Sequence, residues 1–147
     1  MHIKKANIAD IDTLVPLFDQ YRVFYKQPSN LEGARQFLKE RMTKKETVIF
    51  LALEENNQGI GFTQLFPIFS SVSMQRTYIL NDLYVTEQGR GKGIGEAILN
   101  TAKQFAIQEG SKGLTLETDI DNPAQKLYER LGWIKDSEVF HYTWKVK

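Results

Sequence analysis

Two features of this chain hold residues of a type and spacing that could do chemistry. The stretch Gln88-Gly89-Arg90-Gly91-Lys92-Gly93-Ile94-Gly95 follows an apolar run, opens an amphipathic one, and is half glycine. Glycine lets the backbone turn sharply and press its N–H groups against a ligand, and the N-terminus of the helix beyond adds partial positive charge. Arg90 can grip phosphate oxygens bidentately, while Lys92 supplies a mobile point charge. The loop therefore reads as a cradle for a diphosphate. The second feature is Asp82, an acid in an otherwise apolar strand. Such an acid is costly unless it is paired, hydrated or functional.

Other phosphate loops fit less well. A Walker loop needs Ser or Thr after its lysine, where Gly93 follows Lys92. A dinucleotide fingerprint needs Gly or Ala where Glu96 stands. A nucleotide-binding domain would rest on the glycines alone.

The elements that position these residues follow from periodicity. Ile11, Leu14, Val15 and Phe18 share one face of a helix over roughly 8–25, with Asn7 and Asp10 at its start and Pro16 expected to kink or divide it. Ser29 and Glu32 have capping-box spacing before a second helix ending near Met42. Strands are expected over Thr47–Leu53 and Ile60–Phe66 as a hairpin, with a loop over 67–73 and a buried central strand over Thr77–Val85. A helix then carries Ile94, Ala97, Ile98, Thr101 and Phe105 to a cap at Gly110, and Leu114–Thr118 is a strand. Asp121 or Asn122 caps a short helix opened by Pro123 and closed by Gly132, and a last strand is expected within 137–146. This order makes an α/β fold: a mixed central β-sheet sandwiched by helices in three layers.

The spacing Gln88-x-x-Gly91-x-Gly93 resembles the acetyl-CoA pyrophosphate motif, Gln/Arg-x-x-Gly-x-Gly/Ala, of the GCN5-related N-acetyltransferases, the GNAT superfamily. The order of elements is similar to the GNAT fold over nearly the whole chain. A second segment, Asn122-x-Ala124-x-x-x-Tyr128-x-x-x-Gly132-Trp133, resembles the one that in the family lines the pantetheine arm and supplies a tyrosine beside the thioester sulfur. The resemblance implies direct transfer of acetyl from acetyl-CoA to a primary amine in a ternary complex. Gln88, Arg90, Gly91, Lys92, Gly93, Gly95 and Asn122 would hold the cofactor. Leu83, Tyr84 and Val85 would offer backbone groups where the strands at 80–85 and 114–118 splay apart, and an N–H near Tyr84 or Val85 would serve as an oxyanion hole. Tyr128 would protonate the departing thiolate.

An alkyl ammonium must lose a proton before it attacks. Asp82 is the candidate base, with Glu117 and a water chain as alternatives. Polyamine acetyltransferases of the superfamily resemble this chain in having acids just before the same apolar-apolar-Val, but Asn81 stands where their first acid would be. Tyr21, Tyr25 and the uncharged Phe66–Phe69 stretch would flank the acceptor, which could be a small molecule or a lysine side chain. The segments at 21–25 and 61–65 look similar to the HPA2-like bacterial branch, which implies a homodimer. A binding module that senses CoA or acyl-CoA without chemistry is the alternative.

Composition bounds the rest. At 147 residues, with 41% hydrophobic and 25% charged residues, a single domain over 1–147 is expected. A net charge of +1 offers nucleic acid or an anionic membrane no global attraction. The chain has no cysteine, which excludes disulfides and an acyl-cysteine intermediate. His2 and His141 lack metal-ligand spacing, so no metal is expected. No apolar signal region follows Met1, and the uncharged stretch 56–75 is too rich in Asn, Gln, Ser and Thr to span a bilayer, so a cytoplasmic protein is expected.

Overall fold

Alternation of apolar residues on two faces of each strand requires a cover on both sides of the sheet, and the computed structural model, which describes all residues Met1–Lys147, provides it. Five strands run in the order β1 (His2–Lys5), β2 (Val48–Leu53), β3 (Gly59–Ser70), β4 (Gln75–Val85) and β5 (Leu114–Thr115). The pairs β1–β2, β2–β3 and β3–β4 are antiparallel, and β5 is parallel to β4. Helices α1 (Ile11–Phe24) and α2 (Leu31–Thr43) cover one face, packing Leu14, Leu17, Phe18, Ala34 and Leu38 on Ile49, Leu51 and Phe62. Helix α3 (Ile94–Gln108) covers the other, with Ile94 and Ile98 on Ala52 and Ile60. The chain divides into two units, Met1–Glu117 and Thr118–Lys147. No helix is long and apolar enough to cross a membrane.

Several expectations are corrected. His2–Lys5 forms an edge strand, too short for its alternation to be read. Helix α1 continues through Pro16, which lies on the solvent side of the helix. The carbonyl of Asp12 that Pro16 leaves without its usual partner belongs to an exposed residue, where water can meet it. Asn30, not Ser29, caps α2: its side chain accepts the Gly33 N–H at 2.9 Å. The Ser29 hydroxyl instead donates to buried Asp19 at 2.7 Å, whose other oxygen takes the Asn30 N–H, tying α1 to the start of α2.

The stretch 67–73 was expected to be a loop, yet β3 extends to Ser70 and pairs Pro67 with Tyr78. Strand β2 leaves β3 at the Val48–Leu65 pair, so the missing Pro67 N–H faces a side with no partner strand and costs no ladder bond. Strand β5 is two residues long rather than five. In the second unit, the helix α4 (Gln125–Arg130) begins two residues after Pro123, with the Asn122 side chain accepting the Ala124 N–H at 2.9 Å. No strand forms in 137–146; its Val139, Phe140, Tyr142, Trp144 and Val146 are exposed. A β-rich composition supplies propensity, and a strand still needs a ladder partner.

Candidate active site

The β3–β4 ladder carries the geometry on which the site depends. Register passes from Leu65–Leu80 to Gln64–Asp82, so Asn81 is an extra residue, a β-bulge in β4. Without it, Asp82 would share the face of Tyr78 and Leu80. The bulge turns Asp82 to the opposite face, under α1 and α2, beside Gln64. It also resets the backbone. Thr86 N–H bonds the Ile60 carbonyl at 2.9 Å, so by alternation Tyr84 pairs with β3 while the N–H and C=O groups of Leu83 and Val85 point away from it. On that outer side the parallel ladder ends at Ile79–Thr115. On that edge the strand 80–85 therefore carries peptide groups that no strand pairs, of which the Val85 carbonyl is taken by the Arg90 side chain.

Asp82 is buried, at 4% exposure, and has no cationic partner. Its carboxylate accepts from Gln64 Nε2 at 2.5 Å and Asn81 Nδ2 at 3.0 Å, and Gln64 is itself held by the Thr47 hydroxyl at 2.7 Å. Burial pushes the Asp82 carboxyl above its usual range, against the opposing pull of hydrogen bonds from Gln64, Tyr21 and Asn81. A carboxyl raised in this way takes up a proton more readily than an exposed one, as a group that must accept one from a substrate does. It lines a cleft of about 360 Å³ walled by Phe18, Tyr21, Phe37 and Phe66. Tyr21 thus reaches the cleft. Tyr25 packs edge-on against Tyr21 at 5.0 Å and is not part of the lining. Glu117 is exposed and lies past the end of β5.

The glycine loop forms the other end of β4. Gly91 and Gly93 both have φ +77°, a left-handed conformation that side chains rarely adopt, and a Cβ built on either meets nothing within 4 Å. The first bond within α3 runs from Ala97 N–H to Gly93 C=O, so the N–H groups of Ile94 and Gly95 precede any intrahelical partner, and Gly93 has no side chain to cap them. Such a terminus suits an anion. The pattern Gln/Arg-x-x-Gly-x-Gly/Ala is met twice, by Gln88-x-x-Gly91-x-Gly93 and by Arg90-x-x-Gly93-x-Gly95. The second register lays both of its glycines at the helix start.

Arg90 is held back from the loop. Its Nε donates to the Val85 carbonyl at 3.2 Å, and its guanidinium lies over the Phe24 and Tyr84 rings at 5.6 and 5.9 Å. Lys92 and Gln88 are exposed. In the second unit, Tyr128 is buried and its ring meets the Trp133 ring at 5.9 Å, while the Trp133 backbone N–H donates to the Tyr128 carbonyl. Asn122 is occupied as the cap described above.

Gln64, Thr47, Phe37 and Arg22 belong to the cleft or its support and are not among the site residues expected from the sequence. Gln64 had one signal in the sequence, a long polar side chain within the β-rich run 60–66.

Residues 14–133 match the acetyltransferase (GNAT) family. An N-acetyltransferase of Bacillus subtilis named YhfO and described as uncharacterized is 50% identical over 147 residues, covering 99% of this chain and 98% of that protein. A Haemophilus influenzae protein named "Probable acetyltransferase" is 38% identical, covering 88% of this chain and 97% of the relative. A crystal structure described as a probable acetyltransferase superposes with a TM-score of 0.95 at 41% identity, covering 100% of this chain and 99% of that one.

Proposed function

Given that the chain belongs to the acetyltransferase (GNAT) family and is an acetyltransferase of that fold, we propose that it transfers acetyl from acetyl-CoA directly to a primary amine. The observation that carries this reading is the bulge at Asn81, which sets a buried acid on the cleft side of β4 and an open row of peptide groups along its edge. Acetyl-CoA supplies the activated acyl group. Gly91, Gly93 and the first N–H groups of α3, with Lys92 and Gln88, hold its diphosphate. Arg90 joins them on release from the Val85 carbonyl. Leu83 and Val85 pair with the amide-bearing arm, and one of their N–H groups receives the developing oxyanion; Tyr84 directs its N–H to β3, so it contributes a ring rather than a donor.

In the cleft, Asp82 binds the acceptor ammonium and takes a proton from it, freeing the lone pair that forms the new C–N bond as the C–S bond breaks. Tyr128 returns a proton to the sulfur, and the second proton lost by nitrogen replaces it. Asn122 supports the segment that carries Tyr128. Tyr21 orients the acceptor, with Tyr25 behind it. The family match crosses the division at Glu117, which supports one functional domain over 1–147. A cytoplasmic location belongs to the same reading.

Release of free thiol from acetyl-CoA, measured over a panel of amines, tests the activity; release that never depends on an acceptor would remove it. Tyr128→Phe keeps the ring against Trp133 and deletes the hydroxyl, so turnover is expected to fall by about 10²-fold with CoA affinity nearly unchanged. Unchanged turnover would exclude Tyr128 as the acid.

We also propose a homodimer. Ile134, Phe140, Tyr142 and Trp144 are 83–94% exposed within one short segment, and packing them against a second copy would remove their apolar surface from water. Light scattering on the purified protein is expected to give twice the chain mass, and a monomer at micromolar concentration would overturn the assignment.

A further inference from the structure

Besides Asp82, the cleft is lined by one other charged group. Arg22 lines it from α1, half-buried, and its polar contact is a long one, from Nη1 to the Pro28 carbonyl at 3.4 Å. It forms no ion pair. Asp19, one turn back on the same helix, is occupied by the Ser29 hydroxyl and the Asn30 N–H. The Asn30 side-chain oxygen is likewise taken, by Gly33. The same small cavity thus holds an anion with no cation and a cation with no anion, with the aromatic faces of Phe18, Phe37 and Phe66 in its walls. A buried charge without a partner is costly, as at Asp82, and a ligand that offers a cation to Asp82 and an anion to half-buried Arg22 would satisfy both. The volume, near the lower end of the roughly 300–1,000 Å³ of small-ligand pockets, calls for a compact ligand.

We propose that the acceptor is a compact amine bearing a carboxylate or comparable anionic group, of amino-acid type, with its ammonium at Asp82 and its anionic group at Arg22. The assignment rests on reading the Asp82 cleft as the acceptor site. It disfavours polyamines, whose second ammonium would share the cleft with Arg22 and would find an amide at Asn81 in place of a second acid.

Matched pairs that differ in the carboxylate alone provide the test: leucine against isopentylamine, and lysine against cadaverine, each assayed by thiol release from acetyl-CoA. The carboxylate-bearing member is expected to have the higher kcat/KM by about tenfold or more. Arg22→Met, which removes one long hydrogen bond and should fold normally, is expected to erase that preference, and Arg22→Glu to reverse it toward the diamine. Equal or better use of the decarboxylated partners, or a preference that survives Arg22→Met, overturns the proposal. Should no amine release thiol, the transfer reading fails by itself, and binding of the same pairs followed by ligand-detected NMR decides the site. Carboxylate-dependent binding lost in Arg22→Met upholds the proposal; absence of binding by either member overturns it.

Discussion

Replacement of Asp82 by asparagine is expected to lower kcat/KM by about 10²- to 10⁴-fold, the range a positioned general base supplies, while the protein stays folded. The pH dependence carries the diagnostic part. Because burial raises the Asp82 carboxyl, the base becomes ionised only above the ordinary carboxylate range, so the wild-type acid limb of kcat/KM should lie higher than that of an exposed acid. Asp82→Asn should flatten that limb. An unchanged limb in the variant would assign the base to Glu117 or to water.

Stability should move the opposite way to activity. A carboxyl whose folded-state pKa is raised above its unfolded value binds its proton more tightly when folded. Its contribution is therefore present below the unfolded pKa and is lost as pH rises through the folded one. Above that window the ionised, poorly hydrated carboxylate destabilises the fold, and asparagine carries no such charge. Thermal melts should accordingly show Asp82→Asn at least as stable as the parent at pH 8, with the advantage vanishing in acid. The new amide cannot accept from both Gln64 and Asn81, but the Asn81 side chain lies on an exposed residue and can turn to water.

Gly93→Val is expected to abolish measurable CoA binding, a loss on the order of 100-fold or about 2.7 kcal/mol, without unfolding the chain. Two separate consequences of the glycine geometry lead there. The left-handed φ of +77° costs a side-chain-bearing residue about 1–2 kcal/mol, which should lower Tm by several degrees and leave the protein folded. The added Cβ meets no protein atom within 4 Å, so the valine methyls project into the open space above the start of α3. That space is where we place the diphosphate. Calorimetric titration with CoA, beside a melt of the same sample, separates the two effects. Binding retained by a folded Gly93→Val protein would move the anion site away from α3, and a variant that fails to fold would show the loop to be structural.

The parts of this molecule that local chemistry dictates could be read from its residues. The hairpin of β2 and β3, the helix on Ile94 and Ile98, and the turn that delivers β4 into a glycine-rich helix start each rest on periodicity, turn residues and caps acting within a few positions. The residues of the loop and the acid at 82 were visible for the same reason, and the resemblance of two motifs pointed to the family that the comparisons then established. Where partners far apart in sequence decide, local residue patterns mislead. Pro67 lies in a strand because β2 has already left that side of β3, while the β-rich segment at 137–146 has no ladder partner and forms none.

The site divides along the same line. Which residue types are available is settled within the chain: the glycines, Asp82, Tyr21 and Tyr128. Tertiary structure alone decided that Asn81 is a bulge, and so which face Asp82 occupies and which peptide groups of β4 remain open, because a bulge is a mismatch between two strands and does not exist in either one. It alone decided that Gln64 and Thr47 brace the acid, that Arg90 lies on Tyr84, and that Arg22 lines the Asp82 cleft without an anion, since burial and pairing are properties of what surrounds a side chain.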